Sequence, residues 1–154
     1  MERYLHDVLG STKFADVDVV RSKTMSAIRG KGNKTTELTL RMALIRAGVS
    51  GWRLHAADVL GRPDFFFPRE AVAVFVDGCF WHGCSRCGHT PKTRSAFWAA
   101  KFARNKARDR RTTRKLRTGG IHVIRLWEHQ LKTPRSRRAS IELIAKSLQR
   151  RPKG

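Results

Sequence analysis

Residues 61–84, GRPDFFFPREAVAVFVDGCFWHGC, contain the two strands predicted for the centre of the fold. Pro63 favours an extended backbone leading to Asp64, because a residue that precedes proline is pushed out of the helical region. Residues 64–67 predict a short strand, and residues 71–76 predict a buried strand, since they form a short apolar run rich in valine. With a turn between them, the two segments predict a hairpin in the protein interior.

The flanking segments predict the rest of the fold. Helices are predicted for residues 21–28, 36–48 and 93–118, and strands for residues 51–61, where the strand runs into a turn, and 121–127. In the second helix Leu38, Met42 and Ile45 recur at helical spacing, and the helix ends at Gly48, as helices often do. The order of elements contains no repeat and predicts a mixed α/β sheet with helices packed on it.

The composition excludes a disordered polycation. Of 154 residues, 33 are Lys or Arg and 12 are Asp or Glu, which gives a net charge of +21. However, 40% of the residues are hydrophobic, including four Trp and eight Phe. Such a chain buries enough apolar surface to offset the entropy of ordering. We therefore expect a folded protein whose partner is a polyanion, of which nucleic acid is the commonest in cells.

Hydropathy favours a cytoplasmic location. No segment approaches the ~18 consecutive apolar residues that span a bilayer, and residues 1–10 (MERYLHDVLG) lack the apolar core of a signal peptide. We expect a cytoplasmic protein without a membrane partner.

The positive charge is concentrated in particular segments. Residues 101–117 hold nine Lys and Arg against one acid, Asp109. Like charges on one helix repel unless a polyanion neutralises them, so we expect this helix to contact phosphates. Residues 132–153 hold eight basic residues against Glu142. They are explained equally well as a solvated face and as a helix that packs on the domain through Ile141, Ile144, Ala145 and Leu148.

Elimination of the acidic residues near the termini and in predicted turns leaves five carboxylates. These are Glu37, Asp64, Asp77, Asp109 and Glu128. Asp64 opens one predicted core strand and Asp77 closes the next, so a hairpin would bring both to the same end of the sheet. Carboxylates that are close together in an apolar sheet repel unless a divalent cation such as Mg²⁺ lies between them. The alternatives are that Asp64 caps a turn and that Asp77 hydrogen-bonds within the Asp-Gly turn.

The three cysteines have the spacing of metal ligands. Cys79, Cys84 and Cys87 form a C-x4-C-x2-C pattern, and an odd number of cysteines in a cytoplasmic protein argues against disulfides. Thiolates at this spacing suit tetrahedral Zn²⁺, which needs a fourth ligand. The candidates for that ligand are His82, His89, His122 and His129. The alternative is a set of three reduced thiols in the core.

Several separated motifs together resemble the very-short-patch repair (Vsr) endonuclease family. They are GRPDF (residues 61–65), FVDGCFWHGC (75–84), PKTRSAFW (91–98), Asn105 with Arg108–Arg111, and VIRLWEH (123–129), in this order. Residues 21–28 are similar to the N-terminal helix of that family. The resemblance implies a restriction-endonuclease-like fold of the PD-(D/E)xK type, with a mixed sheet flanked by helices and a zinc-binding loop. It also implies Mg²⁺-dependent nicking 5′ to the thymine of a T:G mismatch.

The resemblance assigns a catalytic set. Asp64 is implied to bind Mg²⁺ together with the main-chain carbonyl of Val76. His82 is implied to activate the attacking water or the phosphate, and Asp109 and Glu37 are implied to be further polar residues of the site.

The resemblance also implies zinc ligands and DNA contacts. The implied zinc ligands are Cys79, Cys84, Cys87 and His129. Three aromatic residues are implied to wedge into the duplex beside the mismatch: Phe80, Trp81 and Trp98. Met25 is implied to enter from the opposite groove. Further DNA contacts are implied for the helix residues Arg108, Arg110 and Arg111. Two adjacent aromatic residues between a turn and a metal loop cannot both face one core, which favours the wedge for Phe80 and Trp81. Trp98 has an alternative core partner in Phe102.

Two features depart from the family pattern. Asp77 stands where some members have histidine, which leaves open a second acidic metal contact. The zinc loop is richer in cysteine than in some relatives and has one more residue between its last ligands.

The expected organisation is an N-terminal extension (1–20), an endonuclease domain (21–130) and a basic C-terminal helix (131–154) on the same domain. The expected partners are mismatched double-stranded DNA and other mismatch-repair proteins, and the expected state is a monomer. Two other functions remain open: an endonuclease of the same fold that acts on modified or foreign DNA, and a non-catalytic zinc module that binds DNA.

Overall fold

The computed structural model describes residues 35–150. The predicted helix at residues 21–28, the N-terminal extension and Met25 lie outside the described residues. The described elements are helix α1 (residues 35–46), β1 (Arg53–Leu54), β2 (Phe65–Phe67), β3 (Val72–Asp77), α2 (Ser95–Thr118), β4 (His122–Trp127), a 3₁₀ turn (Glu128–Leu131) and α3 (Pro134–Gln149). This order confirms the prediction of a mixed α/β fold.

The four strands form one sheet in the order β1-β2-β3-β4. The pairs β1-β2 and β2-β3 are antiparallel, and the pair β3-β4 is parallel. Because β3 lies between β2 and β4, both of its edges are hydrogen-bonded. The carboxyl ends of β3 and β4 therefore lie at the same end of the sheet as the start of β2.

Alternate residues of the strands fill two separate cores, as the period of two in a strand requires. One face of the sheet packs against α1 and α3 through Leu40, Leu44, Phe65, Phe67, Val72, Val74, Ile124, Leu126, Leu131 and Ile144. The opposite face packs against α2 through Ala56, Phe66, Ala73, Phe75, Leu116 and Val123. Valine-rich β3 is apolar on both sides because it supplies both cores.

Helix α1 buries a different face from the one that the spacing indicated. Leu38, Met42 and Ile45 are exposed, whereas Leu40 and Leu44 are fully buried. Glu37 precedes these two leucines by three and seven residues and so shares their face. The same rotation of the helix that buries Leu40 and Leu44 turns Glu37 towards the sheet.

The turn before β2 is tighter than the proline rule predicted. Arg62 has a φ of 50° rather than an extended backbone, and its amide donates to the carbonyl of Val59 at 2.9 Å. Gly61 has a φ of 80°, and a Cβ there would lie 2.5 Å from a methyl group of Thr112 in α2. This close approach requires glycine at position 61 and places Asp64 directly after a fixed turn. The prediction for Ala71 was also wrong by one residue: Ala71 lies in the turn with a φ of 51°, and β3 begins at Val72.

Helix α3 begins and packs as its sequence indicates. The Thr133 hydroxyl accepts a hydrogen bond from the Ser136 amide, and Pro134 occupies the first turn, both of which favour helix initiation. Ile144 is fully buried, and Ile141 and Leu148 pack beside it. No helix among residues 35–150 combines the length and apolar composition needed to cross a bilayer.

Replacement of Ile144 tests this packing. Ile144→Ala should lower the free energy of unfolding by about 2–5 kcal/mol, because it leaves a cavity between α3 and the sheet. Leu143→Ala is the matched control on the same helix: Leu143 is 48% exposed, so its loss should cost less than about 0.5 kcal/mol. Urea denaturation followed by circular dichroism measures both, and equal losses would contradict the packing of α3.

Candidate active site and metal centre

Three side chains from separate elements converge beside the start of β2. Glu37 lies on α1, His55 follows β1, and Asp64 precedes β2. One ligand atom from each lies within 4.8 Å of the other two, so the three could hold one metal ion. His55 Nε2 lies 3.0 Å from Glu37 Oε1. The structure therefore brings together two of the predicted catalytic carboxylates and adds a histidine that the motifs had not singled out.

Asp64 has a pKa above its usual range. Burial is the main cause, because it disfavours the charged carboxylate, and the negative charge of Glu37 acts in the same direction. The backbone amide of Val76 donates to Asp64 Oδ2 at 2.7 Å and partly opposes the shift. A buried carboxylate that is crowded by a second carboxylate is the kind of group that a divalent cation stabilises.

The contact with Val76 places β3 against Asp64. In an antiparallel pair, the N–H and C=O of a strand residue project to the same side. Because the Val76 N–H points to Asp64, the Val76 carbonyl lies on the Asp64 side of β3. This is the placement that the predicted main-chain contact with Mg²⁺ requires.

A second polar group lies where β3 ends. His82 Nδ1 lies 2.5 Å from Asp109 Oδ2, which joins the loop after β3 to helix α2. Burial opposes ionisation of Asp109, but the hydrogen bond with His82 and the charges of His82, Arg125 and Arg108 outweigh it and lower the pKa of Asp109. Asp109 therefore stays ionised and fixes the orientation of the imidazole, with Nε2 as the nitrogen left for other partners.

Asp77 belongs to this second group and not to the Asp64 group. Arg125 Nε and Nη2 donate to the two carboxylate oxygens of Asp77 at 2.8 and 2.9 Å, and Arg125 Nη2 also lies 3.2 Å from Asp109 Oδ1. The guanidinium lies over the ring of Phe75, with Cζ 4.6 Å from the centroid. The structure thus gives Asp77 a bidentate ion pair with Arg125. Ligand atoms of Asp77, His82 and Asp109 also lie within 4.8 Å of one another, so a metal contact of Asp77 stays a prediction.

The three cysteines and His129 form a third group. The Sγ atoms of Cys79, Cys84 and Cys87 lie 3.4, 3.6 and 3.4 Å from His129 Nδ1, and Cys84 Sγ lies 3.7 Å from Cys87 Sγ. Zinc bonds of about 2.3 Å to sulfur and about 2.0–2.1 Å to nitrogen in a tetrahedron give S–N edges of about 3.5 Å and S–S edges of about 3.8 Å. The donor set and its spacing therefore fit tetrahedral Zn²⁺.

The other three candidate histidines are not in this group. His82 faces Asp109, and His122 lies at the start of β4. His89 is exposed and contacts the ring of Phe80. The loop closes tightly around Gly88, where a Cβ would lie 2.5 Å from the Cys84 carbonyl and 2.9 Å from the Cys79 carbonyl.

Phe80, Trp81 and Trp98 form one aromatic cluster. The ring of Phe80 lies 5.0 Å from Trp81, 5.3 Å from Trp98 and 5.5 Å from Phe102. Trp81 lies 6.1 Å from Trp98, and Lys101 Nζ lies 5.2 Å from the Trp81 ring. The tight turn after Cys79 places both rings against α2, and neither ring belongs to the two buried cores of the sheet.

These aromatic side chains remain accessible. Phe80, Trp81 and Trp98 are each half-buried, whereas Phe102 below them is buried. Asn105 on α2 donates to the Trp81 carbonyl at 2.7 Å, which ties the loop to the helix. The cluster therefore combines a fixed backbone with ring surface that is open to a ligand.

The predicted phosphate contacts lie on the same helix. Arg108, Arg110 and Arg111 are exposed on α2. Only Phe102 and Leu116 of this 24-residue helix are buried, so most of its surface is free to carry basic groups.

His55 and Arg125 are the site residues that sequence reasoning missed. Arg125 could have been found, because a charged residue within the apolar strand sequence VIRLW requires a buried counter-charge. His55 follows a two-residue strand and precedes a turn, and no local pattern distinguishes it from a loop histidine.

Comparison with known proteins identifies the family of this chain. The model of the family described as DNA mismatch endonuclease Vsr matches residues 16–88. Type II nicking enzyme V.NaeI of Lentzea aerocolonigenes is 40% identical over 120 residues, which cover 75% of this chain and 72% of that protein. Type II nicking enzyme V.XorIIP of Xanthomonas oryzae pv. oryzae is 38% identical over 112 residues, covering 72% of this chain and 81% of the relative.

The DNA mismatch endonuclease Vsr of Escherichia coli is 36% identical over 115 residues, which cover 73% of this chain and 71% of that enzyme. The similarity spans most of both chains in each of these comparisons. The chain belongs to the Vsr family of DNA mismatch endonucleases.

Proposed function

We propose that this protein, as a monomer, nicks one strand of double-stranded DNA 5′ to the thymine of a T:G mismatch. The observation that carries the proposal is the position of two groups at one end of the sheet. Asp64 precedes β2 and Asp77 ends β3, and because β2 and β3 are antiparallel the Asp64 group and the His82–Asp109 pair lie near each other. Phosphodiester hydrolysis needs a cation for the phosphate charge and a group that activates water.

Asp64 and the Val76 carbonyl are the groups that hold Mg²⁺ in this proposal, with Glu37 beside them. The ion supplies Lewis-acid stabilisation of the negative charge that develops on the phosphate. Val76 fixes the carboxylate of Asp64 through its amide, so the ligand is oriented before DNA binds.

His82 acts on the water or on the phosphate. Its Nδ1 is engaged by Asp109, so Nε2 is the nitrogen that accepts a proton from the attacking water or donates to a phosphate oxygen. Arg125 balances the charge of Asp77 and Asp109 and so stabilises two carboxylates close to one histidine.

The aromatic cluster reads the mismatch. A mispaired step is unstacked more easily than a paired one, so half-buried flat rings that insert into the stack select it. The exposed arginines of α2 supply affinity for the phosphates without sequence information. The loop that carries Phe80 and Trp81 lies between Cys79 and Cys84, so we propose that a structural Zn²⁺ holds the wedge in place.

A second candidate is a nickase of the same fold that recognises another DNA feature. Two of the relatives described above are named type II nicking enzymes. Nicking of a 5′-labelled duplex with T:G or C:G at the same position, with and without Mg²⁺, separates the candidates. Equal nicking of both duplexes would favour the second.

Asp64→Asn tests the cation site. It should slow Mg²⁺-dependent nicking of the T:G duplex at least about a hundredfold, because loss of a ligand removes several kcal/mol of transition-state stabilisation. DNA affinity should stay equal or increase, since one negative charge facing the phosphates is removed. Asp58→Asn is the control, because Asp58 is an exposed carboxylate paired with Arg53 outside the group. Nicking by Asp64→Asn at the wild-type rate would exclude Asp64 as the ligand.

Metal analysis tests the cysteine site. One zinc per chain is expected, and Cys84→Ser should lower the folded yield and the melting temperature more than the specific activity of the folded fraction, because a closed site contributes folding energy. Ser85→Ala, at the exposed neighbouring position, should keep its zinc. Stoichiometric zinc in Cys84→Ser would rule out this ligand set.

Trp81→Ala tests the wedge. The preference for T:G over paired duplex should fall about tenfold or more, since stacking on an aromatic side chain is worth ~1–3 kcal/mol per base, and the salt dependence of binding should change little. Trp81→Phe retains a flat ring and should retain most of the preference. The double variant Arg110→Ala/Arg111→Ala should weaken binding to all duplexes alike and flatten the salt slope. Intact discrimination in folded Trp81→Ala would assign Trp81 to packing.

A further inference from the structure

His55 lies in a position that suits a metal ligand. Its Nε2 atom is 3.0 Å from Glu37 Oε1 and within 4.8 Å of a carboxylate oxygen of Asp64. Adjacent ligands of an octahedral cation with bonds of about 2.0–2.1 Å lie about 3.0 Å apart. The separation between His55 and Glu37 therefore matches one edge of such an octahedron, and Asp64 lies within reach of the same ion.

The backbone links the position of His55 to that of Asp64. The amide of His55 donates to the Asp64 carbonyl at 3.2 Å, which continues the antiparallel pairing of β1 with β2. His55 also has a φ of 48°, a left-handed conformation that is uncommon for residues other than glycine. A constrained turn thus positions the imidazole beside the two carboxylates. The side chain of His55 is 43% exposed, so a cation can reach it from the solvent.

We propose that His55 is a nitrogen ligand of the catalytic cation, beside Glu37 and Asp64. This inference rests on the proposed function, since it adds a ligand to the same cation site. A site with one imidazole and two carboxylates has a softer donor set than an all-oxygen site. Imidazole favours first-row transition ions, and affinity rises from Mn²⁺ towards Ni²⁺. The site should therefore bind Mn²⁺ more tightly than Mg²⁺ and lose that preference when the imidazole is removed.

The alternative is an ion pair between a protonated His55 and Glu37. In that case His55 competes with the cation for Glu37, and its removal would leave Mn²⁺ binding unchanged or tighter. A ligand and a competitor therefore give effects of opposite sign.

Mn²⁺ binding to the zinc-loaded protein, followed by the electron paramagnetic resonance signal of free Mn²⁺, distinguishes the two. His55→Gln should weaken Mn²⁺ binding about tenfold or more and should weaken Mg²⁺ binding, measured by competition, to a smaller extent. His55→Asn is the second variant, because asparagine tolerates the left-handed conformation and protects against a folding defect. His89→Gln is the control, since His89 is exposed and belongs to none of the three potential metal-binding groups among the described residues.

Asp64→Asn separates failure of this inference from failure of the proposed function. If Asp64→Asn loses Mn²⁺ binding while folded His55→Asn binds Mn²⁺ as tightly as wild type or more tightly, His55 is not a ligand and the Asp64 cation site stands. If neither variant changes Mn²⁺ binding, the cation site itself is misplaced. Thermal melting of each variant, followed by circular dichroism, establishes that Mn²⁺ binding is compared between folded proteins.

Discussion

Hydrogen bonding along both edges of β3 fixes the relative positions of the three functional groups. The antiparallel register with β2 places Asp64 beside Val76, and the parallel register with β4 places Asp77 opposite Trp127. The strand is apolar on both faces and supplies both cores, so a shift of register by one residue would exchange the residues of the two cores. The two registers therefore position Asp64 and Asp77 from the centre of the sheet, and fixed positions of this kind are the preorganisation that electrostatic catalysis requires.

Positive and negative charges lie on different surfaces around β3. The surface of α2 is strongly basic and suits a polyanion, while the sheet end collects carboxylates that would repel one another and the phosphate. Arg125 neutralises Asp77 and Asp109 from within β4, and a cation at Asp64 would neutralise the other group. Removal of one partner from such an ion pair costs more than the pair contributes, because a desolvated charge is left alone. Arg125 therefore offsets the negative charge of Asp109 and so stabilises the His82–Asp109 pair in its partly buried surroundings.

The Cys₃His group connects the ends of the two parallel strands. Cys79 follows β3 and His129 follows β4, and the two residues are 50 positions apart in the chain, with α2 between them. A tetrahedral ion at this position would hold the aromatic loop between Cys79 and Cys84 against α2, where Asn105 and Phe102 already contact it. The proposed wedge and the proposed catalytic histidine lie in this same loop, so recognition of the base pair and cleavage share one support.

Elements that depend on a local pattern of residues can be predicted from the sequence. The apolar run of β3, the helix ending before Gly119 and the cysteine spacing predict the strand, the helix and three potential metal ligands, because each is encoded in one continuous segment. The motif around Asp64 predicts a cation site, which stays a prediction. Other features are visible only in the folded protein: the face of α1 that is buried, the ion pair of Asp77 with Arg125, the shared cluster of Phe80 and Trp81, and the contact of His55 with Glu37. The contact between Asp77 and Arg125 joins residues that are 48 positions apart. The buried face of α1 depends on the rotation of a helix that has apolar residues on two faces. Their geometry follows from strand register and from burial of Leu40 and Leu44 together, which no local periodicity specifies.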